Sequence, residues 1–124
     1  MLKIGLKNAA TRIVGEADTA VAHGSGSLPV FATPAMIAFM ENTAMESVQP
    51  FLAEGECTVG TRMDVKHMAA TPVGREVRCE SELVEIDRRR LVFAVRAYDA
   101  RGTIGEGTHE RFIVNNEKFM AKLQ

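Results

Sequence analysis

Thr33-Pro34-Ala35-Met36-Ile37-Ala38-Phe39-Met40-Glu41-Asn42-Thr43-Ala44-Met45-Glu46-Ser47-Val48 carries the one strong helix signal in the chain. A threonine hydroxyl can accept a free amide of a first turn, and a proline at the first helical position gives up an N–H that has no partner there anyway. Thr33 is therefore read as the N-cap and Pro34 as the first helical residue. From Ala35 to Met40 the segment is apolar on nearly every side. Such a helix is wrapped by protein rather than laid on a surface. Pro50 and Gly55 mark its end, so the helix is predicted from Thr33 to about Leu52.

Beyond Gly55 the period changes to two. Thr61, Met63, Val65 and His67 form one face, and Arg62, Asp64 and Lys66 the other, as in a half-buried strand. Thr71-Pro72-Val73-Gly74 reads as a turn. Three more strands are predicted at about Glu76–Ile86, Leu91–Tyr98 and Thr103–Val114. Asp87-Arg88-Arg89-Arg90 and Asp99-Ala100-Arg101-Gly102 separate them with turn composition. Before the helix, Ile13-Val14 and Ala20-Val21-Ala22 suggest one or two strands. His23 to Pro29 is Gly/Ser-rich and reads as a loop: a plain connector, or a flap over a site. Asn116 to Leu123 reads as a short closing helix. Short turns imply antiparallel neighbours, so the expected class is α+β: one long helix embraced by a curved antiparallel sheet.

The chain has 124 residues, a length suited to one domain over 1–124 with its own core. Fifteen Lys and Arg oppose sixteen Asp and Glu, a net charge of −1. General nucleic-acid binding needs a clear positive excess, so no nucleic-acid partner is expected. No run approaches the roughly 18 apolar residues of a membrane span. No secretory signal is read in the first residues, and the expected location is cytoplasmic. Cys57 and Cys79 lie in no Cys/His cluster, so reduced thiols are expected and no metal site.

Three polar residues fall where apolar ones belong. Glu41 shares its helical face with Ile37, Ala38, Ala44, Met45 and Val48. A carboxylate there either finds a polar partner or lies at the floor of a pocket, since an unpartnered buried charge costs several kcal/mol, roughly. His67 continues the face of Met63 and Val65, either as a satisfied core histidine or as a group placed for proton transfer. Thr33, beyond capping, would sit beside free amides at the positive end of the helix dipole, where a developing oxyanion is stabilised. Thr33 and Glu41 are eight residues apart, roughly 12 Å along the axis at the helical rise. A direct bond between them within one chain is not expected. A substrate spans them, or a symmetry mate brings the groups together.

Other residues give weaker signals. His23 sits in the Gly/Ser loop. His109 alternates with Arg111 on the last strand, and Arg111 is either a surface ion-pair residue or faces an anionic ligand. Arg88-Arg89-Arg90 is a solvated turn or a phosphate contact. The glycines at 24, 26, 105 and 107 make no nucleotide-binding fingerprint. Met36, Met40 and Met45 read as core fillers.

Val30-Phe31-Ala32-Thr33, Met40-Glu41, Gly60-Thr61, His67, Ala69-Ala70-Thr71-Pro72 and Gly74 together resemble the fluoroacetyl-CoA thioesterase type of hotdog-fold acyl-CoA thioesterase. So do Gly105, Gly107-Thr108-His109-Glu110-Arg111 and Glu117-Lys118-Phe119. The resemblance covers roughly residues 30 to 121, in order and at matching spacing. It implies a hotdog fold and a homodimer, or a dimer of dimers, with acyl-CoA pockets at the subunit interface. Its catalytic positions fall on Thr33, Glu41 and His67, and its substrate-contacting positions on Gly60 and Arg111. It implies no cofactor beyond the coenzyme A of the substrate.

The chain departs from that family before Val30, where a glycine-rich segment replaces an aromatic-rich lid. Pro34 replaces a glycine, and Asn42-Thr43 stands where a larger aromatic lies. The acyl group is therefore not carried over. The expected reaction is hydrolysis of an acyl-CoA thioester, with Glu41 activating water or attacking directly. Its rivals are a non-catalytic acyl-CoA binding protein and an enoyl-thioester hydratase on the same fold.

Overall fold

The computed structural model describes all 124 residues. Strands β1 (Lys7–Ile13), β2 (Glu56–His67), β3 (Glu76–Asp87), β4 (Arg90–Asp99) and β5 (Gly102–Asn115) form one antiparallel sheet. Its order is β1-β3-β4-β5-β2. Helix α1 (Ala20–His23) is a single turn, α2 (Thr33–Val48) is the long central helix, and α3 (Asn116–Ala121) closes the chain. The sheet bends around α2, the α+β arrangement expected.

Alternation along the strands supplies the packing. Val77, Cys79, Ser81 and Leu83 of β3, and Leu91, Phe93, Val95 and Ala97 of β4, are buried. From α2 they meet Ala35, Met36, Phe39, Met40, Thr43, Ala44, Ser47 and Val48. Met36, Phe39 and Met40 are almost wholly withdrawn from water, worth about 1.5–3 kcal/mol each. The helix hides its own hydroxyls: Thr43 donates to the Phe39 carbonyl at 2.8 Å and Ser47 to that of Ala44 at 2.6 Å.

One stripe of α2 stays open. Pro34 and Ala38 are exposed, and Ile37, Glu41 and Met45 are only half-buried. β2 lies beside it at the edge of the sheet, hydrogen-bonded to β5 alone.

Four sequence expectations are corrected. Ala20-Val21-Ala22 is helical rather than extended: the Thr19 hydroxyl accepts the Ala22 amide at 3.2 Å, and Gly24 closes the turn at φ 67°. Three apolar residues were too few to outweigh that cap. The N-cap of α2 is Ala32, so Thr33 is the first helical residue and Pro34 the second. The helix stops at Val48, and Gln49–Phe51 continues as a 3₁₀ turn. Finally, the register of β2 against β5 shifts between Gly60 and Arg62. Thr61 falls in this bulge, exposed, its hydroxyl on the Glu110 carbonyl at 3.2 Å, and not on the face of Met63, Val65 and His67.

Candidate active site

The polar residues gather into two groups. The first joins the start of α2 to the end of β2. The Thr33 hydroxyl and His67 Nδ1 are 2.8 Å apart. Freed from capping, the hydroxyl turns to the imidazole. His67 Nε2 is buried and has no hydrogen-bond partner. Burial holds the His67 imidazole below its ordinary pKa, and the Ala69 carbonyl opposes this only in part. A neutral ring is thus available to accept a proton.

Thr71 holds this group together. It is fully buried, and its hydroxyl donates to Asp99 at 2.8 Å. Its carbonyl accepts the Phe31 amide at 2.8 Å. The segment leaving His67 is thereby tied to the segment entering α2.

The second group forms where Glu41 crosses β2 and β5. A Cβ on Gly60 would lie 2.9 Å from Glu41 Oε2, 3.3 Å from His109 Cε1 and 3.4 Å from Arg111 Nη1. The missing side chain is the room in which the three meet. Glu41 itself makes no hydrogen bond or ion pair and is half-buried, on the open stripe rather than in the core.

Arg111 is buried at 6% exposure, which corrects the reading of a surface ion-pair residue. Its Nε donates to the Thr58 hydroxyl at 2.7 Å, and its Nη2 to the Thr58 carbonyl at 2.8 Å. No carboxylate touches it. Burial pulls its pKa below the ordinary guanidinium value, and the nearby Glu41 charge resists.

His109 is 1% exposed. It sits 3.1 Å from Arg111 Nη1 and 2.7 Å from the Arg62 carbonyl. Burial lowers its pKa, helped by Arg111.

Thr33 and His67 are thus in contact, and Glu41, Gly60 and Arg111 are grouped, but neither Thr33 nor His67 bonds Glu41. Sequence reasoning did not single out Thr58, a threonine on a strand with no periodic anomaly. His109 enters it by its alternation with Arg111 and its place in the 107–111 match, with no partner assigned. His23 ends α1, exposed and bonded to nothing by its side chain. Arg88 and Arg89 lie in an exposed turn, while Arg90 opens β4 and bonds Glu85 at 2.7 Å. Cys57 and Cys79 are unbridged, and burial raises the Cys79 thiol to about 11.

One hollow of the single chain, about 900 Å³, lies on the outer face of the sheet beside Arg78, Glu80, Tyr98 and Glu106. Neither polar group lines it.

The two lowered histidines link pH to stability. Below about pH 6.5 the unfolded chain binds protons on His67 and His109 that the folded chain resists. Stability is therefore full above that pH and falls as the pH drops toward the lowered values. The urea midpoint is expected to fall between about pH 7.5 and pH 5.5, and less so in a His67→Gln, His109→Gln double variant. An identical slope in that variant would place the linkage elsewhere.

A family model described as fluoroacetyl-CoA-specific thioesterase matches residues 14–117. The fluoroacetyl-CoA thioesterase of Streptantibioticus cattleyicolor is 43% identical over 95 residues, spanning 77% of this chain and 68% of that protein. A solved structure of a fluoroacetyl-CoA thioesterase has 36% identity and a TM-score of 0.93, over 99% of this chain and 96% of the other. A Thermus thermophilus hypothetical protein, described as a thioesterase superfamily member, has 27% identity and a TM-score of 0.91, over 99% and 91%.

Proposed function

We propose, because this chain belongs to the fluoroacetyl-CoA-specific thioesterase family, that it hydrolyses an acyl-CoA thioester to a carboxylate and free coenzyme A. The observation that carries this reading is the meeting of Glu41, Arg111 and His109 around Gly60, with a hydroxyl–imidazole pair at the head of the same helix. Thioester hydrolysis needs a base for water, positive groups for the oxyanion and a proton for the leaving thiolate.

Each need has a candidate. Glu41 takes a proton from water as the water oxygen bonds to the carbonyl carbon. Arg111, beside Glu41 at Gly60, meets the negative charge on the carbonyl oxygen. The tetrahedral species then expels sulfur: the carbon–sulfur bond breaks, the thiolate takes a proton that His67 has drawn from solvent, and Glu41 and the product acid give theirs up to solvent. Thr33 orients that imidazole and the thioester. Gly60 leaves room for the carbonyl. Coenzyme A arrives with the substrate, and no other cofactor enters the scheme.

The pocket is completed by a second copy. The open stripe of α2 and the unpaired edge of β2 support this, since both are surfaces that a homodimer would cover. So does the roughly 12 Å between Thr33 and Glu41 along one helix, which a partner's residues would close. We read residues 1–124 as one such domain, in the cytoplasm. No helix is long and apolar enough to cross a membrane.

The acyl group is set in part by Gly24 to Pro29, an exposed loop with Leu28 at its surface. With no aromatic side chain there, a range of small acyl groups is expected rather than fluoroacetyl selectivity. The test is thiol release from short, branched and aryl acyl-CoAs, beside an enoyl-CoA followed by its conjugated absorbance. Thiol and carboxylate in equal amounts support the hydrolase. Tight binding without thiol release points to the binding module, and loss of enoyl absorbance without thiol to the hydratase.

A further inference from the structure

We infer that His109 is a positioning residue for this reaction: it holds Arg111 by a lone pair on Nε2 and so keeps the guanidinium aimed at the thioester and off Glu41. The inference rests on the thioesterase reading above and adds a residue to it.

The hydrogen bonds of the ring admit one state. His109 Nδ1 lies 2.7 Å from the Arg62 carbonyl, which can only accept. Nδ1 therefore carries a proton. His109 Nε2 lies 3.1 Å from Arg111 Nη1, which can only donate. Nε2 therefore carries a lone pair. Both contacts select the same neutral tautomer, and a charged ring would set N–H against N–H. The ring is 1% exposed, so no water competes for either bond.

The Arg62 carbonyl follows the β2 bulge, where the ladder to β5 is interrupted. Bulges re-aim local groups, and this one sits against the ring. The guanidinium is thus fixed at three corners: Nε and Nη2 on Thr58, and Nη1 on His109. Three points define a plane, and two leave a hinge.

Removing the third point has a specific consequence. Glu41 Oε2 and Arg111 Nη1 both approach the open space at Gly60, yet they form no ion pair. A guanidinium freed from His109 would turn about its Thr58 edge and close on that carboxylate. The base would be masked and the oxyanion donor misdirected together. Turnover would suffer more than binding.

The test has two parts. Nitrogen NMR of the histidine rings of the intact protein at pH 7 should show His109 neutral, protonated on Nδ1 and bare on Nε2. A ring charged at pH 7, or protonated on Nε2, overturns the inference. In kinetics, His109→Phe keeps a flat ring, a little larger, and removes the acceptor. It should lower kcat about tenfold or more with a smaller change in KM, below the cost of losing an oxyanion donor outright. His109→Gln restores a carbonyl for Arg111 and an amide for Arg62, and should recover most of the loss. A folded His109→Phe protein with unchanged kcat, or a Gln variant no better than Phe, overturns it. If the Phe variant fails to fold, the tautomer and the Gln variant still decide. Wild-type protein that releases no thiol from any ester refutes the thioesterase reading. A wrong tautomer in an active enzyme refutes only the role of His109.

Discussion

Glu41→Gln is expected to lower the turnover of thiol release by roughly 10²-fold or more, with KM little changed. The substitution keeps the size of the side chain and removes its charge and its ability to take a proton. Its effect on the fold should be small, because Glu41 makes no hydrogen bond or ion pair that a glutamine would break. A buried, partnered carboxylate would give the opposite pattern, since its removal strands a partner at a cost of about 1–3 kcal/mol. Steady-state kinetics and a melting curve on the same preparation separate the two. Unchanged turnover would remove Glu41 from the chemistry. A large loss of stability would make it a structural residue.

Gly60→Ala comes second. The backbone there is not left-handed, so alanine meets no conformational penalty. Its methyl would stand 2.9 Å from Glu41 Oε2, closer than contact allows. The carboxylate is the end of a flexible side chain and yields more easily than a strand. It moves away from the space beside Arg111, and a displacement on the order of 1 Å at a reacting group costs about 10²-fold. The expected result is a protein that folds normally and turns over about 10- to 10²-fold more slowly. A steep drop in melting temperature with full activity per folded molecule would mean instead that Gly60 serves the strand.

The helix and the strands were legible because their periods were. An apolar run from Ala35 to Met40 admits few readings, and burial alternates along residues 76–83 of β3, 90–97 of β4 and 108–114 of β5. The anomaly at Glu41 was visible for the same reason: a charge on an apolar face breaks a pattern. Thr33 reads as a cap in sequence because a cap is a local affair, whereas its bond to His67 joins residues 34 apart. No local rule outweighs a partner that only the fold supplies. The Thr61 bulge escaped because one extra residue reverses the alternation without leaving a mark in composition. Thr58 and the bonds of His109 escape because hydrogen-bond partners across a sheet cannot be read from spacing along one strand.

The edge position of β2 has a bearing on durability. This one strand carries Thr58, Gly60, the Arg62 carbonyl and His67, parts of both polar groups, and it has a neighbour on one side only. Edge segments fray at lower free energy than the core they border. Warming would then silence the chain before it melts, because a peeled margin takes the chemistry with it while α2 stays wrapped in β3 and β4. Whatever clasps that margin acts as a thermostat for activity rather than for the fold.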